Sequence, residues 1–137
     1  MNRGIRIRHD LLGQMVEHAQ REPRGECCGL LAGCEGVITH VSPAENVASD
    51  PERSYEISPA EIVRLMREFR TQGLEFLGIY HSHPTGENWP SPRDIELAYY
   101  SEAVYVILSP RRDAQKPIRA FSIREGSVTE IELETLA

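Results

Sequence analysis

The amino-acid sequence predicts an α+β fold, with a β-sheet covered by helices on at least one face. Three observations carry this reading. Runs rich in aliphatic and aromatic residues recur, namely CCGLLAG at 27–33, EFLGIYHSH at 75–83 and AVYVILS at 103–109. Two other segments space their apolar residues at the helical period. Near the end, IRAFSI and VTEIEL alternate apolar with polar residues on either side of Glu125-Gly126-Ser127, the pattern of a hairpin. A chain of 137 residues suits a single domain over 1–137, large enough to bury a core without disulfides.

In chain order, Ile5 and Ile7 alternate with Arg6 and Arg8 and predict a short first strand. Leu11, Leu12, Met15, Val16 and Ala19 follow a helical period that Pro23 closes. CCGLLAG predicts a buried strand whose glycines admit close neighbours. Gly36 turns the chain into a partner strand, VITHVSPAEN, and a polar loop over 47–53 leads to a brief extended piece, SYEIS. Ser58 is a suitable N-cap, Pro59 suits the first helical position, and Glu61 lies three residues after the cap. Ile62, Leu65, Met66 and Phe69 form that helix's apolar stripe, and Gly73 ends it. Ser91 and Pro92 open a third helix, expected to run to about Tyr100.

The composition excludes several classes. Net charge is -6, against the basic excess of nucleic-acid binders. No apolar run is long enough to span a bilayer, and MNRGIRIRHD lacks the apolar stretch of a signal peptide, so a cytoplasmic protein is expected. The cysteines are Cys27, Cys28 and Cys34, an odd set that predicts buried free thiols rather than a disulfide framework.

The chemistry concentrates in HSHPTGENWPSPRD, residues 81–94. His81 and His83 lie two apart at a strand end, so both side chains point the same way and can meet one metal ion. Pro84 stops the strand. With Ser91 as N-cap, Asp94 is the third helical residue, where the helix dipole favours an anion. Two imidazoles and one carboxylate form a known catalytic zinc set with one position left for water. Bound zinc would lower the pKa of that water and polarise a carbonyl. Ser91 and Asp94 also read as a plain capping box. The Ser91 hydroxyl can cap the helix and still donate its proton toward an oxyanion. Of the carboxylates that could shuttle a proton, Glu26 stands at the mouth of the buried run CCGLL, either as a solvated strand end or aimed into a pocket. Glu35, Glu45, Glu56 and Glu96 read as solvated, and Glu87 stays open because it lies in the loop.

These residues resemble a known family. His81-Ser82-His83-Pro84, followed by Ser91 and Asp94, is similar to the signature of the JAMM (MPN+) metalloproteases. Glu26 before Cys28-Gly29-Leu30-Leu31 resembles the motif that carries the family's catalytic glutamate. The resemblance implies a cytidine-deaminase-like architecture, a mostly antiparallel mixed sheet flanked by about three helices. It implies Zn2+ held by His81, His83 and Asp94. It implies further that Glu26 moves a proton from water to the leaving amine and that Ser91 steadies the tetrahedral intermediate. The chain is short and looks like the small bacterial members. These act on ubiquitin-like sulfur carriers of the ThiS/MoaD type and release an amino acid or short peptide after the carrier's Gly-Gly. The strand around Tyr55 to Ile57 and the loop over 85–89 are placed to line the path of such a tail. Trp89 is either a lid over the core or a substrate contact.

Other readings use the same residues differently. MPN relatives that lack the ligands serve as binding scaffolds, whereas this chain keeps every ligand position. A non-haem iron oxygenase also uses two His and a carboxylate, but in an H-x-D/E arrangement not present here. The H-x-E and P-C-x-x-C signature of zinc deaminases is absent. His9, His18 and His40 are expected at the surface, and Arg111-Arg112 in a solvated turn.

Overall fold

The elements follow in the order β1 (Ile5–Arg8), α1 (His9–Arg21), β2 (Cys28–Cys34), β3 (Val37–Ala44), α2 (Pro59–Thr71), β4 (Glu75–Ser82), α3 (Pro92–Glu96), β5 (Val104–Leu108), β6 (Ile118–Arg124), β7 (Ser127–Ile131) and β8 (Leu133–Leu136). They are taken from a computed structural model that describes residues 4–137. Residues 1–3, the start of the stretch read as carrying no leader, lie outside the described residues.

The strands form one eight-stranded sheet in the order β7-β6-β5-β4-β2-β3-β1-β8. Four of its strand pairs are antiparallel, β7·β6, β6·β5, β4·β2 and β2·β3. The pairs β4·β5, β3·β1 and β1·β8 are parallel. The mixed, mostly antiparallel α+β class implied by the family resemblance is thus observed. The two edge strands, β7 and β8, are separated in sequence by Glu132 alone. Strands joined by one residue must end close together, so the sheet curls almost to closure. VTEIEL is therefore divided: Ser127–Ile131 completes the predicted hairpin with β6, and Leu133–Leu136 crosses to pair with β1.

The central strands sort their residues by period two. Leu31, Tyr80, Val104, Val106 and Leu108 face α1, where they pack with Leu11, Met15 and Ala19. Leu30, Ala32, Ile79, Tyr105 and Ile107 face α2 and its Leu65 and Phe69. Burying each of the Val, Leu, Ile, Phe and Met side chains among them contributes about 1.5–3 kcal/mol, so packing on the two faces, more than helix propensity, holds the helices. Gly29 sits opposite Tyr80 in the β2·β4 register. A Cβ there would lie 2.5 Å from the Ser42 carbonyl oxygen and overlap the Tyr80 ring. Its absence lets Tyr80 cross the strand and reach His18 Nδ1 with its hydroxyl, 2.9 Å away.

Three local expectations are corrected. The third helix ends at Glu96 rather than near Tyr100. The Tyr100 amide donates instead to the Tyr105 hydroxyl at 3.1 Å, and its ring packs edge-on to Phe76, so tertiary contacts override helical propensity. SYEIS forms no strand; it is an irregular segment leading into α2. Cys27 and Cys28 are buried as expected, but Cys34 is exposed at the far end of β2. Burial pushes the Cys27 and Cys28 thiols up to about 11 and about 12, which leaves them unreactive. No helix among the described residues is long and apolar enough to cross a membrane.

Candidate metal centre

Strand direction brings the candidate residues to one end of the sheet. β2 runs against β4, and β4 runs with β5, so the start of β2 meets the ends of β4 and β5. Cys28 pairs with His81, which places Glu26 beside the end of β4. The His83 amide donates to the Leu108 carbonyl at 2.9 Å and extends the strand geometry one residue past β4. The chain then loops back, and Ser91 caps α3 by accepting from the Asp94 amide at 3.1 Å. Asp94 Oδ2 returns the contact, accepting from the Ser91 amide at 2.9 Å. The capping box and the convergence on the histidines thus coexist in one carboxylate.

Glu26, His81, His83 and Asp94 are all buried, and one potential ligand atom from each lies within 4.8 Å of the others. His81 Nε2 and His83 Nε2 are 3.2 Å apart, and each meets Asp94 Oδ2, at 3.2 and 3.0 Å. Ligands about 2.0–2.1 Å from a tetrahedral zinc ion are separated by roughly 3.3–3.4 Å, close to this spacing.

The donor set fits a cation for a second reason. His83 Nδ1 lies 2.7 Å from the Glu87 carbonyl, which can only accept, so Nδ1 carries a proton. A neutral His83 then presents a lone pair at Nε2 to the lone pairs of Asp94. A proton or a metal ion must lie between them, and His81 Nε2 meets the same oxygen at 3.2 Å. A buried polar atom without a partner points the same way: Glu26 Oε1 has none among the described residues.

The electrostatics follow from burial and this pairing. Burial raises the Glu26 carboxyl to about 8; Asp94 adds to the rise and His83 opposes it. Burial would also raise Asp94, but hydrogen bonds from His81 and His83 hold it far below the usual carboxylate range. Burial pulls His81 down. For His83 burial is outweighed by Asp94 and the Glu87 carbonyl, so its pKa rises.

A family model described as prokaryotic homologs of the JAB domain matches residues 8–124. The chain belongs to that family. Among its relatives, the desampylase of Haloferax volcanii is 37% identical over 105 residues, covering 75% of this chain and 76% of that protein. The CysO-cysteine peptidase of Mycobacterium tuberculosis is 36% identical over 127 residues, covering 90% and 86%. The solution structure of protein DSY2949 from Desulfitobacterium hafniense superposes with a TM-score of 0.85 at 30% identity, covering 96% of this chain and 92% of that one. The family relationship expected from Glu26 and the HSHP run is borne out.

The roles of four residues that support this JAB-domain centre escaped the sequence reading, which had named Tyr55 only as a liner of the substrate path and Glu87 only for its side chain. The Glu87 side chain is exposed, and its contribution is the backbone carbonyl that orients His83. Asn88 is buried and pins the loop by donating to the carbonyls of Lys116 at 2.7 Å and Ile107 at 3.3 Å. Asn46 donates to the carbonyls of Glu26 and Ser54, and Tyr55 stacks on His81. Asn88 had only a weak signal, as an amide inside the stretch 81–94, and Asn46 had none, at the end of a predicted strand far from that stretch in sequence. The contact of Tyr55 with His81 had no signal, because nothing in a sequence shows that two distant rings stack.

Trp89 is 43% exposed, with its ring edge-on to Phe121 and beneath the Arg119 guanidinium. Glu35, Glu45, Glu56 and Glu96 are exposed, as are His9 and His40. His18 departs from expectation: it is half-buried, held by the Tyr80 hydroxyl, and burial lowers its pKa. Arg111 is exposed and pairs with Asp113.

Proposed function

We propose that the protein is a zinc-dependent peptidase that hydrolyses the amide bond after the C-terminal Gly-Gly of a ubiquitin-like, ThiS/MoaD-type sulfur carrier, releasing an amino acid or short peptide. We assign this activity to one domain over residues 1–137. The single observation that carries it is the buried convergence of Glu26, His81, His83 and Asp94. The names of two relatives, a CysO-cysteine peptidase and a desampylase, support the substrate class.

In this reading His81 Nε2, His83 Nε2 and an Asp94 oxygen hold the ion. When bound, zinc supplies Lewis acidity, which activates a water and polarises the scissile carbonyl. Glu26 acts as the proton carrier. Its burial raises the carboxyl to about 8, so it takes up a proton readily. It takes a proton from the attacking water and delivers it to the nitrogen of the leaving amine. The Ser91 hydroxyl spends its oxygen on the Asp94 amide, which leaves its O–H to donate to the oxygen of the tetrahedral adduct.

A groove beside the centre suits an extended tail. It holds about 530 Å³ and is lined by Tyr55, Ile57, Ile62, Val63, Leu97 and Tyr99 among others. Glu56 turns its backbone inward, its carbonyl accepting from Val47 and its amide donating to Asn46. The outward backbone groups of Tyr55 and Ile57 have no partner among the described residues. A Gly-Gly tail can pair there as an added strand.

The test is incubation with ThiS/MoaD-like carriers extended at the C-terminus, followed by intact mass. Cleavage after Gly-Gly, abolished by chelator and by Glu26→Gln with zinc retained, is the expected result. Full activity in Glu26→Gln would remove that residue from its role, and no cleavage of any extended carrier would overturn the substrate assignment.

A further inference from the structure

The two histidines are oriented by different means. His83 is fixed by the hydrogen bond from its Nδ1 to the Glu87 carbonyl. His81 is 1% exposed, and its Nδ1 finds no acceptor among the described residues. A histidine that ligates a metal ordinarily donates its other ring N–H to an acceptor, which sets the ring's rotation. At His81 the neighbour is a ring instead. Tyr55 lies against it with centroids 4.3 Å apart and planes inclined by 22°.

We propose that Tyr55 is a positioning residue: its ring holds the His81 imidazole in the plane that aims Nε2 at the ion, in place of the missing hydrogen bond. The inference rests on the metal reading of the centre. A near-parallel stack resists tilting of the imidazole, because rotation about the Cβ–Cγ bond would drive its edge into the tyrosine face. Tyr55 is itself held on both sides. The Ser54 carbonyl accepts from Asn46 Nδ2 at 3.0 Å, and the Glu56 amide donates to Asn46 Oδ1 at 3.0 Å. The same ring lines the groove, so whatever occupies the groove touches the residue that backs a ligand.

The experiment measures zinc affinity by chelator competition, without substrate, for the parent protein, Tyr55→Phe and Tyr55→Leu. The visible spectrum of each cobalt-substituted protein reports the ligand geometry. Tyr55→Phe keeps the ring and is expected to match the parent in both. Tyr55→Leu is expected to lose about 10-fold or more in affinity and to shift the cobalt bands. Circular dichroism of the metal-free proteins checks folding, and Tyr55→Met replaces Tyr55→Leu if that variant does not fold. Parental affinity and spectrum in a folded Leu or Met variant would overturn the proposal. So would equal losses in Tyr55→Phe and Tyr55→Leu, which would assign the effect to the hydroxyl. A parent that binds zinc but cleaves no carrier contradicts the proposed function and leaves this result standing, whereas a parent that binds no zinc overturns both.

Discussion

Asn46 Nδ2 donates to the backbone carbonyl of Glu26 across 2.9 Å, tying the proposed proton carrier to the segment that bears Tyr55. The same side chain donates to the Ser54 carbonyl and accepts from the Ala48 and Glu56 amides. Asn46→Ala leaves these groups without their partner, at roughly 1–3 kcal/mol for each one that stays buried. A loss of about 2–4 kcal/mol in urea unfolding is expected, together with a fall in turnover. An unchanged unfolding midpoint would contradict this account of the loop.

Glu26 makes the metal-free fold sensitive to pH. Its carboxyl rises from 4.5 to about 8 because it is buried. The folded chain then binds this proton more tightly than the unfolded chain does. The resulting stability is fully present below about 4.5 and is lost as pH rises through about 8. Glu26→Gln cannot ionise, so the decline between about pH 5 and about pH 8 should flatten in that variant. In the zinc-loaded protein the same change is expected to lower kcat by roughly 10²–10⁴-fold without reducing zinc content. Urea midpoints across pH, with metal analysis, check both statements.

Ser91→Ala separates the observed cap from the proposed donation to the tetrahedral adduct. Loss of the cap on the Asp94 amide should cost about 1 kcal/mol of stability. Loss of the donated proton should lower kcat by about 10²-fold or more with little change in KM. A variant that loses stability but keeps kcat would leave Ser91 as a cap alone.

Metal removal should be visible in thermal unfolding. An ion bound only by the folded state adds about 2.7 kcal/mol when free at 100 times its dissociation constant. Zinc is therefore expected to raise the midpoint of chelated protein by on the order of 10 °C. His81→Ala should abolish that rise, and a rise that survives the substitution would place the ion elsewhere.

Much of this was legible in the sequence because it is local. Alternation in β4 set His81 and His83 on one side, and Ser91-Pro92 announced the start of α3. The order of strands was not legible, since whether Glu26 reaches the end of β4 depends on the β2·β4 register, a long-range pairing. The split of VTEIEL at Glu132 arose from sheet closure, and the early end of α3 from Tyr100 packing on Phe76. The stack of Tyr55 on His81, the bonds of Asn46 and the Glu87 carbonyl were missed because their partners lie across a fold, or because the group involved belongs to the backbone and carries no residue identity.

The most direct measurement is anomalous diffraction at the zinc edge from crystals of the zinc-loaded protein. The account predicts a single ion between Glu26 and the end of β4, about 2.0–2.2 Å from His81 Nε2, His83 Nε2 and an Asp94 oxygen, with Glu26 nearby but unligated. An ion bound elsewhere, or a His81 ring turned away from it, would contradict the account.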